Sequence, residues 1–327
     1  MSWQKLAKHS RLVLLTLSLS LLIGLAGSKT VGAAPAISIK GITLSPAIAN
    51  VDLQKGQTVA NFNVMVTNNT QNDLVLHVSS VDFKSLNNSG GLAFITSKPT
   101  GAAYKYGLTS WLNTGTKTVE LKAHQLKPVT ITVENRTDLS PGGHYAAVLF
   151  MVANGGKGAN TRVNLNQVVS TLVFVRKIDG ERYGISLEQP SLPTSWLHAP
   201  TNIDLFFKNT GNIQEIPRGL VTITSPLSHE VSRAVINTNS SLVLPDSARL
   251  NRVALFATGH TWLPGVYRVH IDYRYDGAPT YQSYDGTFFY AGLPSVAVSL
   301  GGLFVVVYVV RQLHRLYRKA KRRHQQS

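Results

Sequence analysis

The chain has 327 residues, no cysteine and a formal charge of +16. The lack of cysteine excludes disulfides, thiol catalysis, Cys-based zinc sites and iron–sulfur clusters, so the fold must rely on apolar cores. Lys5, Lys8, Arg11 and Lys29 lie near the start and seven cations follow residue 310, which leaves 21 basic against 16 acidic residues over 34–310. A body so close to balance excludes reading the high isoelectric point as a nucleic-acid-binding face.

Residues 1–33 read as a signal peptide. Lys5, Lys8 and Arg11 precede a Leu-rich apolar core over 12–26, and Val31-Gly32-Ala33 fits a small-residue cleavage site before Ala34. A cut after Ala26 is also compatible. An uncleaved anchor is the competing reading, and the core is shorter than the ~20 residues that a full span needs.

Helical periodicity is absent over 36–290, and short β-branched runs recur between turn residues. A first unit, 34–178, is expected to hold strands at 37–44, 51–53, 59–67, 74–83, 118–121, 129–134, 145–152 and 163–176. The near-continuous apolar run at 145–152 has the character of a central strand, and 155–160 that of a flexible turn. A second unit, 179–290, is expected to hold strands at 185–187, 203–208, 219–224, 231–236, 242–244, 250–257, 267–273 and 287–290. This spacing predicts an all-β chain with two immunoglobulin-like β-sandwich domains, and the lack of βαβ crossovers argues against an α/β enzyme fold.

Two echoes relate the units. Pro141-Gly142-Gly143-His144-Tyr145 and Pro264-Gly265-Val266-Tyr267 each place a Tyr just after a Pro-Gly turn. That is the arrangement of a tyrosine corner, with Tyr145 and Tyr267 as the corner rings; other antiparallel β folds share it. Earlier in each unit, an apolar strand ends in a polar Asn turn, at Asn68-Asn69 and at Asn209.

Residues 291–310 hold no charge and are long enough to cross a bilayer as one helix, with Tyr290 and Tyr308 near the ends. Arg311, Arg315, Arg318, Lys319, Lys321, Arg322 and Arg323 follow in an acid-free tail, 311–327. This positive-inside pattern predicts a single-pass membrane protein with its body outside and its tail held at the anionic inner leaflet.

The ten His are scattered, with no H-E-x-x-H pair, and neither G-x-S-x-G nor S-x-x-K occurs over 34–310, so no metal, cofactor or catalytic site is expected. His144 is expected at an exposed turn. The candidate ligand-binding residues are two groups of aromatics: Tyr104, Tyr106 and Trp111 in a polar segment, and Tyr273, Tyr275 and Tyr281, with Tyr284, around a turn at Asp276-Gly277. Rings on loops can stack on sugars or anchor a protein; packing within the core or across strands is the alternative.

Ile42-Thr43-Leu44-Ser45-Pro46, the strand end Val66-Thr67-Asn68-Asn69 and Pro141-Gly142-Gly143-His144-Tyr145, together with the overall layout, resemble the bacterial WxL-interacting cell-surface proteins. The resemblance implies two immunoglobulin-like domains, a C-terminal membrane helix, a first domain that binds peptidoglycan and a second that contacts a protein. The expected function is therefore a non-catalytic surface module that binds envelope polymer or another surface protein. The alternatives are an assembly or chaperone component that takes partner strands by β-augmentation, and a hydrolase with a discontinuous site. If the topology is right, protease added to intact cells should digest the body and leave 311–327 intact; external cleavage of the tail would overturn it.

Overall fold

The computed structural model describes residues 37–39, 41–95, 104–153, 168–188, 190–192, 197–259 and 262–324. The expected signal peptide, 1–33, and the turn at 155–160 lie outside the described residues. In the first half the strands are β1 (Ile37–Ile39), β2 (Ile42–Ser45), β3 (Ile48–Leu53), β4 (Val59–Asn68), β5 (Leu74–Ser85), β6 (Leu92–Ile95), β7 (Leu112–Asn113), β8 (Thr118–Leu121), β9 (Leu126–Glu134), β10 (Gly142–Val152) and β11 (Val168–Lys177). In the second half they are β12 (Ile185–Leu187), β13 (Asn202–Asn209), β14 (Arg218–Thr224), β15 (Glu230–Ile236), β16 (Ala248–Ala254), β17 (Phe256–Ala257), β18 (Gly265–Arg274) and β19 (Gln282–Tyr290). One helix, α1 (Leu293–His324), follows.

The strands form two immunoglobulin-like sandwiches. In the first, the sheet β1-β2-β4-β9-β7 faces the sheet β3-β11-β10-β5-β6, to which β8 adds along β5. Neighbours pair antiparallel except β3, which runs parallel to β11. The alternation of β4 places Ala60, Val64 and Val66 in the core, while outward Asn61 and Asn63 accept hydrogen bonds from the Thr132 and Thr130 hydroxyls on β9, at 2.8 and 2.9 Å. β10 lies between β11 and β5 and is buried over most of its length. In the second sandwich, β12-β13-β16 faces β17-β15-β14-β18-β19 around a core that includes Leu205, Phe207, Val221 and Ile271.

Several expected boundaries are corrected. The single strand expected at 37–44 is a hairpin, because Gly41 takes the left-handed conformation (φ +92°) and pairs Ile39 with Ile42. The strand expected at 250–257 splits at Leu255: β16 pairs with β13 in one sheet, and β17 with β15 in the other. The segment 242–244 contributes one bridge, Val243 to Glu215, because Leu242 and Leu244 pack outward on the first sandwich instead. The strands β6 and β7 were not expected; they are too short to show alternation.

The two Asn turns are alike at atomic level. The buried Asn68 side chain donates to the Asn72 and Lys122 carbonyls at 2.8 and 2.9 Å and accepts the Thr70 N–H at 2.9 Å. The buried Asn209 side chain donates to the Ile213 and Val243 carbonyls at 2.6 and 2.9 Å and accepts the Gly211 N–H at 2.8 Å. In both, the amide spans four residues of its own turn and reaches a distant strand connection.

α1 leaves the second sandwich with no linker. Ser295 is buried, its hydroxyl donates to the Gly292 carbonyl at 2.8 Å, and the Val296 N–H bonds the same carbonyl at 2.9 Å. The helix is long and apolar enough to cross a membrane over Leu293–Leu316, with a mean hydropathy of 2.2. It continues through Arg311, Arg315 and Arg318 to His324.

Tyr267 is fully buried, and its hydroxyl donates to the Leu263 carbonyl four residues upstream at 2.7 Å. Tyr267→Phe keeps the ring and removes this bond, and should cost about 1 kcal/mol in urea unfolding of the membrane-free body. Phe207→Ala, which empties a fully buried site, should cost about 3–5 kcal/mol.

Candidate binding site at the junction of the sandwiches

The outer face of the sheet β3-β11-β10-β5-β6 carries Phe83, Tyr145 and Phe174 on neighbouring strands. Their rings meet at 5.5–5.9 Å, and Tyr106 and Leu244 complete a small core that joins the two sandwiches. Asp82 on β5 shapes the segment that delivers Tyr106. Its Oδ1 accepts the Leu108 and Thr109 N–H groups at 2.8 Å and the Thr109 hydroxyl at 2.6 Å. The Tyr106 hydroxyl then donates to Asp246 of the second sandwich at 2.8 Å, and Lys105 lies 3.4 Å from the same carboxylate.

The Pro-Gly-Gly-His-Tyr motif is the docking element. The Gly143 N–H donates to the Asn212 carbonyl at 2.7 Å. The Asn212 side chain donates to the Pro141 and Gly180 carbonyls at 3.2 and 3.0 Å and accepts the Arg182 N–H at 2.6 Å. Gly142 adopts φ +109°, and a Cβ there would lie 2.6 Å from the Asn212 carbonyl oxygen. A Cβ at Gly143 would overlap the Tyr145 hydroxyl. That hydroxyl crosses to the second sandwich and donates to Gln214 Oε1 at 2.9 Å. Tyr145 is thus not the upstream-bonded corner ring expected of it, because Gly143 opens a path to a partner in the other sandwich.

Of the two readings of the aromatic groups, packing describes most of the rings. Tyr106 is buried in the junction, and Tyr104 packs edge-on against it at 5.9 Å with its phenol pushed up to about 12 by desolvation. Trp111 is half-buried and donates to Asp138 at 3.1 Å. Tyr273 is a core residue, T-shaped on Phe207 at 5.3 Å, with its hydroxyl donating to Gln282 at 2.7 Å. Tyr275 and Tyr284 are half-buried; Tyr281 is exposed, with the Arg274 guanidinium 5.4 Å from its ring centroid. His144 is buried rather than exposed. Its ring nitrogens face the Gly107 and Ser140 carbonyls at 3.1 and 2.8 Å, and burial holds its pKa below the ordinary value.

Two depressions flank the joint. One, of about 440 Å³, is lined by Asn50, Asp52, Arg176, Tyr183, Gln214 and Asp276 among others. Its charges are internally matched: Arg176 grips Asp52 through two guanidinium nitrogens, with Nε 2.9 Å from Oδ1, and Arg218 lies 3.6 Å from Asp276. Such a cleft suits neutral polar groups, peptide or sugar, and its paired carboxylates are poorly placed for acid–base chemistry. The other, of about 250 Å³, is more apolar; Ile48, Leu92, Leu172, Phe174, Leu242 and Leu244 contribute to its walls.

Beside this groove β6 forms an edge of its sheet. It pairs with β5 on one side and, among the described residues, with no strand on the other. Its sequence, Leu-Ala-Phe-Ile, holds no charge, and Leu92 and Phe94 are exposed. The strand β9 also has a largely open edge, paired with β7 only at Thr132 and Val133, but it carries Lys127 and Pro128, which oppose strand addition.

Among the described residues no cluster of His, Asp and Glu is arranged to hold a metal ion. The junction residues Asn212, Gln214, Glu215 and Asp246 escaped the sequence reading, and Leu244 was expected in a strand. For Asn212 the only signal was the Asn turn at Asn209, which has the same composition whether it faces solvent or another domain.

Glu215 is fully buried at this joint. Its Oε1 accepts the Gly184 N–H at 2.6 Å, and its Oε2 has no partner. Burial, reinforced by the Asp276 charge, raises its pKa to about 7 against the partial offset of the Gly184 bond. The folded chain therefore holds this proton more tightly than the unfolded chain does. The ionisation penalty is absent below the ordinary carboxylate pKa, grows as pH rises, and is complete above about 7. Glu215→Gln should leave stability unchanged at pH 4 and raise it at pH 8 by up to about 3 kcal/mol, as measured by urea unfolding at the two pH values.

The chain matches no family model and no curated protein. Among solved structures it is similar to the chaperone–tip adhesin complex of CFA/I fimbriae, at 11% identity and a TM-score of 0.43 over 76% of this chain and 99% of that one. It is likewise similar to the Class 5 fimbriae chaperone CfaA, at 10% identity and a TM-score of 0.41 over 77% and 100%. A third similar structure is the E. coli chaperone DraB, at 12% identity and a TM-score of 0.34 over 75% and 95% of the two chains.

Proposed function

We propose that the chain is a single-pass membrane protein whose docked sandwiches stand outside the cytoplasm and hold an extended segment of another surface protein on the β6 edge. The observation that carries this reading is the charge-free, apolar edge of β6 beside an apolar groove. An edge strand offers a row of backbone donors and acceptors that an incoming strand can pair with, and the adjoining groove can select its side chains. A partner strand on β6 would lie beside Leu92 and Phe94, within reach of the groove walls at Leu242 and Leu244. The junction fixes those walls relative to the edge, so both halves of the chain contribute to one surface. The reading is non-catalytic, since the carboxylates of the neighbouring cleft are held by arginines.

The wall-polymer reading is the second. It is supported by the Asn50, Tyr183 and Gln214 lining of the larger cleft, which suits a sugar or peptide stem, and by the first-unit motifs that resemble the WxL-interacting proteins.

A photo-crosslinking residue at Phe94, in the full chain in its native membrane, should trap an exported polypeptide. The same residue at Asn63, on the exposed face of β4, should not. Leu92→Lys should abolish the Phe94 adduct. Equal labelling at both positions, or adducts that survive Leu92→Lys, would refute strand capture. Retention of the 36–288 fragment on purified cell wall would then favour the polymer reading.

A further inference from the structure

The end of the second sandwich nearest α1 is apolar beyond what its own core requires. β18 begins at Gly265 opposite Tyr290, so the β14–β15 turn, the segment leading into β18 and the start of β13 all lie at the end from which the helix departs. Three side chains there are more than half exposed: Leu227 at the turn (63%) and the cross-strand neighbours Val266 (55%) and Phe289 (53%). Leu197, whose carbonyl lies close to Gly292, joins them at 36%. The segments that build this end, 197–203, 225–233, 262–268 and 287–292, contain a single acid, Glu230. That carboxylate is paired with Arg233 at 2.7 Å, and Arg268 lies beyond Val266.

The occupant of this surface follows from the covalent geometry. Three residues lie between Phe289 and Leu293, a reach of at most about 14 Å even if extended, and the bonds from Ser295 and Val296 to the Gly292 carbonyl turn the chain into the helix at once. The uncharged part of α1 runs from Leu293 to Val310, about 27 Å against a hydrocarbon core of about 30 Å. With Arg311 at the far boundary no helix is left over as a spacer, so the sandwich end is carried down to the headgroups. Exposed aliphatic and aromatic side chains beside an arginine suit that boundary.

We infer that Leu227, Val266 and Phe289 form a membrane-docking surface that seats the second sandwich on the leaflet α1 enters. The inference rests on the proposed membrane span. The absence of native cysteine allows a direct test with four single-cysteine variants of the full chain: Leu227→Cys, Phe289→Cys, Gln282→Cys and Phe304→Cys. Each is nitroxide-labelled and reconstituted in phosphatidylcholine–phosphatidylglycerol vesicles. Gln282 marks the far end of β19, and Phe304 the middle of the helix. Labels at 227 and 289 should be several-fold less accessible to a water-soluble nickel relaxant than the label at 282, and the label at 304 should be the most shielded. Equal nickel access at 227, 289 and 282, with 304 shielded, would overturn the docking surface and leave the span intact. Nickel access at 304 equal to that at 282 would overturn both. Leu227 projects from a turn, so the result at that position does not depend on a substitution in the strands.

Discussion

The arrangement depends on the Asn212 side chain. Two sandwiches in one chain are free to swing unless something holds the linking segment, and Asn212 does so from three directions. It donates to Pro141 before the central strand of the first sandwich, donates to Gly180 in the connection, and accepts from Arg182 as the second sandwich begins. Its own carbonyl takes the Gly143 N–H. The aromatic cluster of Phe83, Tyr106, Tyr145 and Phe174 can then close against Leu244. Amide bonds of this kind are directional where apolar packing is not, so the polar hub sets the angle and the rings supply the buried area. Both clefts and the walls beside β6 exist only at that angle.

Much of the fold was legible because a strand with one wet face announces itself by alternation. β4, β8, β12, β13, β15 and β18 fall close to their expected places, and the apolar run of β10 marks a strand buried on both faces. The failures share a cause. Residues 242–244 look like a strand because they are apolar, yet their burial comes from the other sandwich and not from a ladder. Likewise, periodicity reports burial but not which element does the burying. For that reason Tyr106, Tyr145 and Tyr273 were read as loop or corner rings, although two lie in the junction and one in the core. The Pro-Gly-Gly-His-Tyr motif was visible, and its role as a docking element was not. That role belongs to atoms 69 residues further along the chain, at Gln214.

Glu215 shows a second side of the same joint. A carboxyl with one bonded and one bare oxygen, buried beside the hub, is a poor choice for stability alone. It gives the connection between the sandwiches a stability that falls as pH rises from the ordinary carboxylate range to about 7. Polar groups of this kind make a joint specific in geometry at some cost in stability.

The absence of a linker before α1 also sets a length. The strand β19 runs the height of the second sandwich, and its nine residues span about 30 Å at the usual strand rise. On the proposed membrane placement the junction stands about that far above the bilayer, and the β6 edge is held near the same height by a rigid joint. A partner segment would have to present itself at one altitude over the membrane, like an object measured against a fixed gauge. Ligands much closer to the lipid, or far out in the envelope, would pass below or above the reading edge.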